Sequence, residues 1–536
     1  MTATIQILLL LLAVLVLVAI IARRLDTAPS ILLVVAGIGL ALVPGLPRIE
    51  LAPELVLLVL LPPLIYSAGV SMSWREFRFN LRPIALLAVG CVVFTTCAVA
   101  AAAHLVLGLP WAIGFLLGAI VAPPDVVAPL AIARRLGLPR RILVVLEGEG
   151  LANDATALIL YRFAVAAVST GAFSLGEAAG RFALIVVGEI AYGIAVGWLS
   201  LHLRRWANDP RVEITLSLMT PYVAYWIPEH LGGSGVLATV AAGLTVSWKG
   251  PLLIQSATRL QGIFFWDLII YLIEGLVFLV TGLQARTLIE RMAEFSLRDL
   301  LFATAVTAVI VVLARFVWIF PATYLPRWLS PSLARRDPSP PWQQAFLLAF
   351  TGVRGVVSLA AALAIPFTIA NGQPFPHRDL ILVITFGIII ITLVGSGLLL
   401  PAVVRWLGLA YHGAAERRRE SEAEHEARRD VLNHARRRLD EFAAKCNVSE
   451  DVAGQLRSRY DRRIQQLLDA ATDETDVAAR EIELRLALIA AEREFLHQLL
   501  REGRITDETR RRLERELDLE EAQLSMRTDS LPDLPL

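Results

Sequence analysis

The chain has 536 residues, 56% of them hydrophobic, with a formal net charge of +1 and a mean hydropathy of +0.61. That composition excludes an ordinary water-soluble globule, and the near-zero net charge excludes a nucleic-acid partner. Three cysteines, Cys91, Cys97 and Cys446, are too few for a disulfide framework, and no CxxC or Cys/His metal spacing occurs, so neither a resident cofactor nor a structural metal is expected.

The chain opens on the apolar run Ile5 to Ile21, which lacks a basic leader and is followed by Arg23-Arg24, not by a small-residue cleavage site. It reads as a retained first span. A bilayer-crossing helix needs about 20 mostly apolar residues. On that criterion thirteen spans are expected, near 4–22, 29–45, 54–72, 83–108, 111–133, 142–168, 180–203, 212–230, 234–248, 261–285, 298–321, 342–366 and 379–407.

The basic groups Arg23-Arg24, Arg75 to Arg82, Arg134 to Arg141, Arg204 to Arg211, Lys249 to Arg259 and Arg327 to Arg336 fall on alternate connections. The positive-inside bias then puts the N-terminus outside and the C-terminus in the cytoplasm, in the cytoplasmic (inner) membrane. The loop carrying Arg286, Arg291 and Arg298 is the exception. An odd span count accommodates two six-span units of opposite orientation around one linker span. Span 5, with Pro123-Pro124, then corresponds to span 12, with Gly352 and Gly355. Paired interrupted helices at matching places in two halves point to a transport site near the midplane.

Beyond Leu407 the composition changes. Residues 1–409 form the membrane domain, and residues 410–536 form a charged cytoplasmic region, with helical spacing over 411–523 and disorder expected from Ser525 to Leu536. The expected fold class is an all-α polytopic membrane protein of about thirteen helices, with inverted repeats, crossed broken helices and a helical tail. The lipid bilayer is its first partner, and the tail's own partner is left open.

Two stretches carry polar chemistry inside apolar runs. In Ala122-Pro123-Pro124-Asp125-Val126-Val127 the prolines remove backbone donors and push preceding residues out of the helical region, leaving carbonyls beside a carboxylate. This is either a cation site or a broken half-helix that Asp125 merely caps. The run Arg140 to Tyr161 holds Glu147, Glu149, Asn153 and Asp154. A carboxylate at the bilayer centre costs about 2.5–3.5 kcal/mol, so such acids mark ion or proton pathways.

Asp125 lies nine residues before Arg134, and Asp154 thirteen after Arg141. Both therefore reach a similar depth and can share a site. Glu149 and Asn153 lie on one helix face, with Asp154 turned towards the next. Buried Glu149 needs a cation, and Arg354 is the expected partner in a structural pair, while Glu147 lies nearer the cytoplasmic surface. Competition of a cation and protons for Asp154 suffices for exchange, and if only that group changes occupancy the exchange is electroneutral. Glu189 and Glu274 read as ion-pair members, with Arg162 and Arg315 available to them. Asp267 reads as solvated near an interface, and His425, His434 and His497 as exposed tail residues.

Gly148-Glu149-Gly150-Leu151-Ala152-Asn153-Asp154-Ala155 resembles the GESLLNDA motif of the electroneutral monovalent cation:proton antiporters, the bacterial NhaP-type proteins and animal sodium/proton exchangers. Pro124-Asp125-Val126-Val127-Ala128, Gly352-Val353-Arg354-Gly355 and Leu61 to Gly69 are similar to further motifs of that family, and Glu274 to the acid of another of its spans.

The resemblance implies a homodimer with a dimerisation part and a six-helix core. It also implies alternating access, one-for-one exchange of Na⁺ (or Li⁺) for H⁺ serving pH homeostasis, and transported Na⁺ at Asp154 and Asp125 with Asn153 beside them. It implies pairing of Glu149 with Arg354 as well. The chain departs from the pattern at Gly150, often serine, at Pro124, often threonine, and at Ser67, often acidic. Backbone carbonyls, water or Thr156 are the remaining candidates to replace the lost hydroxyls, and K⁺/H⁺ exchange competes with Na⁺/H⁺ exchange. A membrane-embedded hydrolase or receptor is the alternative of another class; it lacks HExxH, GxSxG or any other nucleophile arrangement, and no enzymatic activity is expected.

Overall fold

A computed structural model describes residues 2–25, 27–44, 52–171, 174–207, 209–292, 295–369, 372–446, 449–469, 475–502 and 504–528. These residues are helical almost throughout. They divide into two compact units, Met1–Glu416 and Arg417–Leu536.

The first unit holds α1 (Thr2–Arg24), α2 (Pro29–Ala41), α3 (Pro53–Ser71), α4 (Leu81–Leu105), α5 (Trp111–Val121), α6 (Val127–Arg135), α7 (Arg140–Thr170), α8 (Leu175–Ala207), α9 (Pro210–His230), α10 (Val236–Leu253), α11 (Ser256–Leu283), α12 (Leu297–Leu329), α13 (Trp342–Phe350), α14 (Val356–Leu363) and α15 (Arg378–Leu407). Nine helices among the described residues are long and apolar enough to cross a membrane. The other expected spans are short, polar or interrupted. α2 has 13 residues, α9 carries charge and two internal prolines, and the fifth and twelfth segments are each split into two half-helices.

The splits follow from the sequence. α5 stops where Pro123-Pro124 can supply no backbone donor, and α13 stops at Thr351-Gly352, so each segment crosses its midpoint as extended chain. α7 runs unbroken from Pro139 until Gly171 takes a left-handed conformation at φ 70°, the usual helix stop.

Two packing groups surround these breaks. α4, α5, α7, α12 and α15 pack on one another, while α8 packs on α9 and α10, α10 on α3, and α2 on α11. In lipid, helix association rests on close backbone approach at small residues. A Cβ on Gly282 would lie 2.2 Å from the Val34 carbonyl oxygen, and one on Gly193 would lie 2.1 Å from that of Ala238. Outward-facing apolar side chains such as Leu184, Trp198, Phe264 and Val309 are exposed, as a lipid-facing surface requires.

The second unit contains α16 (Leu409–Lys445) beyond residue 416, α17 (Glu450–Asp469), α18 (Thr475–Arg501) and α19 (Asp507–Thr528). Arg457 reaches Asp440 at 2.7 Å and Glu450 at 2.6 Å, and Arg493 reaches Asp518 at 2.6 Å. Exposed pairs of this kind contribute about 0–1 kcal/mol each, so α17, whose apolar side is the most sharply segregated, relies on burying residues such as Ala453. The disorder expected from Ser525 is corrected as far as Thr528, which ends α19; the remainder, 529–536, lies outside the described residues.

Gly193→Val should force α8 from α10 and destabilise the protein by about 1–3 kcal/mol, the usual cost of overpacking. Thermal unfolding of purified protein followed by tryptophan fluorescence checks this, with Gly188→Ala as the control. A Cβ at Gly188 meets nothing within 4 Å, and its melting temperature should not fall.

Candidate functional site

The two breaks meet. The Asp125 amide donates to the Val353 carbonyl at 2.7 Å, and the two residues form an isolated antiparallel bridge. Each break leaves carbonyls at the end of one half-helix and amides at the start of the next. Asp125 serves the amides, its Oδ1 accepting from the Val127 amide at 2.9 Å at the start of α6. Arg354 serves the carbonyls. Its Nε donates to Val121 O at 2.8 Å, Nη2 to Ala122 O at 3.3 Å and Nη1 to Gly352 O, while its own amide donates to Thr392 Oγ1 on α15 at 2.9 Å. Acid at the helix start and base at the helix ends match the sign of the helix dipoles.

The expected pairing of Glu149 with Arg354 is therefore corrected, because the carbonyls freed by the breaks occupy the Arg354 guanidinium. Glu149, with no solvent exposure, is held by Arg315 of α12, at 2.5 Å from Nη1 to Oε1 and 2.8 Å from Nη2 to Oε2. Arg315 Nε also donates to Leu348 O of α13 at 3.0 Å. The pair ties α7, α12 and α13 together. Arg315 was legible as a lone charge in an apolar run; its partner was not, because several acids lay at similar depth.

Asn153 is buried and donates from Nδ2 to the Pro124 carbonyl at 2.6 Å. It thus fixes the broken strand to α7 and satisfies a carbonyl that the prolines release. Asp154, one residue further round the helix, lines a cavity of about 500 Å³ together with Asp125, Pro124, Gly150 and Glu274. Ser67, Ser358, Asp267 and Tyr271 line it too. Asp267, Tyr271 and Glu274 follow one another at helical spacing on α11 and share a face. Asp267 is exposed, as the sequence suggested, and also lines the cavity.

Gly150 and Gly355 have steric roles. A Cβ on Gly150 would lie 2.3 Å from Val126 Cγ2, and one on Gly355 would lie 2.0 Å from Asp125 Oδ2. The position that is often serine in the resembling family is here a contact point between α7 and the break. Thr156 is buried, its hydroxyl turned towards the Ala152 carbonyl at 3.5 Å, and it does not line the cavity.

The cavity lining runs along α3 from Val56 to Ser71. Glu147 and Arg134, which pair with each other, lie on its lining, at the end carrying the basic connections. On the other side of Asp154, Tyr225 is buried, and Arg162 of α7 pairs with Glu229 of α9. Glu189, expected in an ion pair, instead accepts from the amides of Ser234, Gly235 and Leu237 at 2.5, 3.1 and 3.2 Å, capping α10. It is spent on helix termination.

Residues 10–406 match the profile of the family described as sodium/hydrogen exchanger, transmembrane. An uncharacterized Na⁺/H⁺ exchanger of Mycobacterium tuberculosis is 35% identical over 94% of this chain and 93% of its own length. A sodium, potassium, lithium and rubidium/H⁺ antiporter of Bacillus pumilus is 35% identical over 73% of this chain and 60% of its own. The Na⁺/H⁺ antiporter ApNhaP of Aphanothece halophytica is 32% identical over 81% of each. Among solved structures, the sodium proton antiporter MjNhaP1 from Methanocaldococcus jannaschii superposes with a TM-score of 0.59 at 20% identity, over 76% of this chain and 98% of that one.

Arg315→Ala should destabilise the protein by about 3–5 kcal/mol, the cost of leaving a buried carboxylate without its partner. The double variant Glu149→Gln with Arg315→Met should recover more than half of that loss. Thermal denaturation in detergent checks both.

Proposed function

The chain belongs to the sodium/hydrogen exchanger family, and from that premise we propose that it is a secondary active antiporter exchanging Na⁺ (or Li⁺) for H⁺ one for one, with Asp154 as the shared site. The single observation that carries this is the cavity that Asp154 and Asp125 line together beside the crossing of the broken helices. Members of the family are transporters, not enzymes.

In the proposed cycle a cation enters from the end marked by Arg134 and Glu147, loses part of its water to the Asp154 carboxylate, Asp125 and the carbonyls at the break, and displaces the proton from Asp154. Asp125 keeps one oxygen on α6 throughout. Asn153 shapes the site by holding Pro124 and adds no second charge, so the occupied site carries the same charge with either ion and exchange is electroneutral. Access alternates when the group holding α5, α6, α7, α13 and α14 shifts against α3 and α11. Arg162 and Glu229 then separate on the far side. The cavity mouth is cytoplasmic on the positive-inside bias, the N-terminus outside, and the working form a homodimer.

Potassium exchange is favoured by a specific observation. Gly150 and Pro124 bring no hydroxyl to the site, and the Bacillus pumilus relative is described as carrying sodium, potassium, lithium and rubidium. Larger, more weakly hydrated cations demand fewer compensating ligands.

In proteoliposomes with an imposed pH gradient, Na⁺, Li⁺ or K⁺ should dissipate the gradient, and clamping the membrane potential to zero should leave the rate unchanged. Asp154→Asn should reduce the rate to that of empty liposomes; retained exchange would refute the shared site. Gly150→Ser alone should lose activity through its clash with Val126, whereas Gly150→Ser with Val126→Ala should restore it and move the apparent affinity ratio towards Na⁺ over K⁺ by several-fold. A full cation series on purified protein reads both.

A further inference from the structure

A second polar pocket lies away from the transport cavity, at the end of the first unit that carries the basic connections. It has a volume of about 50 Å³ and lies between the start of α4, the start of α7, the end of α12 and α13. Its walls include the guanidinium-bearing residues Arg82, Arg141 and Arg327, and its floor is apolar, with Leu86, Leu87, Val145, Ile319 and Leu348.

One carboxylate serves all three cations. Asp337 accepts from Arg141 at 2.7 Å and from Arg327 at 2.7 Å, and lies 3.9 Å from Arg82. Arg327 is otherwise used up, donating from Nε to the Asp337 carbonyl at 3.0 Å and from Nη1 to that of Thr323. Arg82 is not. Its Nε and Nη1 are screened from solvent and have no hydrogen-bond partner. A buried donor without an acceptor costs about 1–3 kcal/mol, more when charged, so Arg82, in a cluster with a local excess of positive charge, lacks an oxyanion.

The flanking residues indicate where that oxyanion comes from. Phe79 and Leu81 beside Arg82 are 64% and 50% exposed, and Trp328 and Leu329 beside Arg327 are 80% and 67% exposed. Large apolar side chains around a cationic pocket, with a tryptophan among them, mark the membrane interface, where headgroups and the start of the acyl chains lie. We propose that this pocket binds the phosphate of an anionic phospholipid, with Arg82 gripping two phosphate oxygens through Nη1 and the Nη2 that shares its edge, Arg141 adding charge, and the acyl glycerol resting on Phe79, Leu81 and Trp328. Two-point contact from a planar guanidinium is the preferred geometry for phosphate, and a basic pocket between membrane helices is a recognised way of holding a headgroup. α7 and α12 both pack on α4, and α12 packs on α13, one of the half-helices, so the lipid would sit on the group that holds the broken helices.

The test uses the purified full chain. Native mass spectrometry with phosphatidylglycerol and with phosphatidylcholine of matched acyl chains should show phosphatidylglycerol retained at collision energies that strip phosphatidylcholine. Arg82→Gln should weaken that retention about tenfold, the loss of a charge-assisted hydrogen bond pair. Arg82→Lys should fall between, and Arg205→Gln, an exposed arginine elsewhere, should change it less than twofold. Phosphatidylglycerol should also raise the melting temperature of the wild type where millimolar inorganic phosphate does not. Equal retention of the two lipids, equal retention by wild type and Arg82→Gln, or equal stabilisation by inorganic phosphate would each overturn the proposal. Should Arg82→Gln fail to fold, a photoactivatable phosphatidylglycerol labelled near its headgroup decides the matter on the wild type. Labels within residues 78–87 and 322–348 support the pocket, and their absence there refutes it.

Discussion

Breaking a helix inside a membrane releases backbone groups where no water can receive them, and the centre of this protein is arranged around that one debt. Two breaks cross at Asp125 and Val353, and each supplies the other with part of what it lacks through a single bridge. The rest comes from side chains of matching sign, Asp125 for the amides of α6 and Arg354 for the carbonyls that end α5 and α13. Asn153 settles the Pro124 carbonyl. A carboxylate at the midplane is tolerable here because the surrounding backbone has already been made polar and already been satisfied.

The Glu149 and Arg315 pair does a different job. Two charges with almost no exposure gain little net stability over apolar residues of similar size. What they provide is specificity of position, since a misplaced α12 would leave one charge buried alone. The pair holds α7 to α12 and, through Leu348, to α13, so the elements around the crossing are joined to one another. Glu189 follows the same logic elsewhere, its carboxylate taken up by the buried amides at the start of α10.

Much of this was legible in the sequence because membrane insertion penalises anything without a purpose. The two interruptions, the acids at matched depth and the lone asparagine all stood out against apolar surroundings, and the helical fold followed from run length. Partnership was not legible. Depth along a helix can be counted from its end, but rotation about the axis and the choice among cations at the same depth depend on packing. That is why the sequence points Glu149 to Arg354 and reads Glu189 as an ion-pair member, where packing supplies other partners. Thr156 illustrates the same limit, since a hydroxyl two residues from Asp154 can be turned wholly onto its own helix. The two prolines and sparse apolar content from Ser525 onward point to disorder, but both prolines lie beyond Thr528, where α19 ends.

The contact between Gly150 and Val126 has a consequence for the protein's history. A side chain at position 150 meets the branched side chain of Val126, so one of the two must shift to make room for it. The two positions are therefore coupled, and their order of replacement matters, because a smaller residue at 126 first leaves room that the reverse order does not.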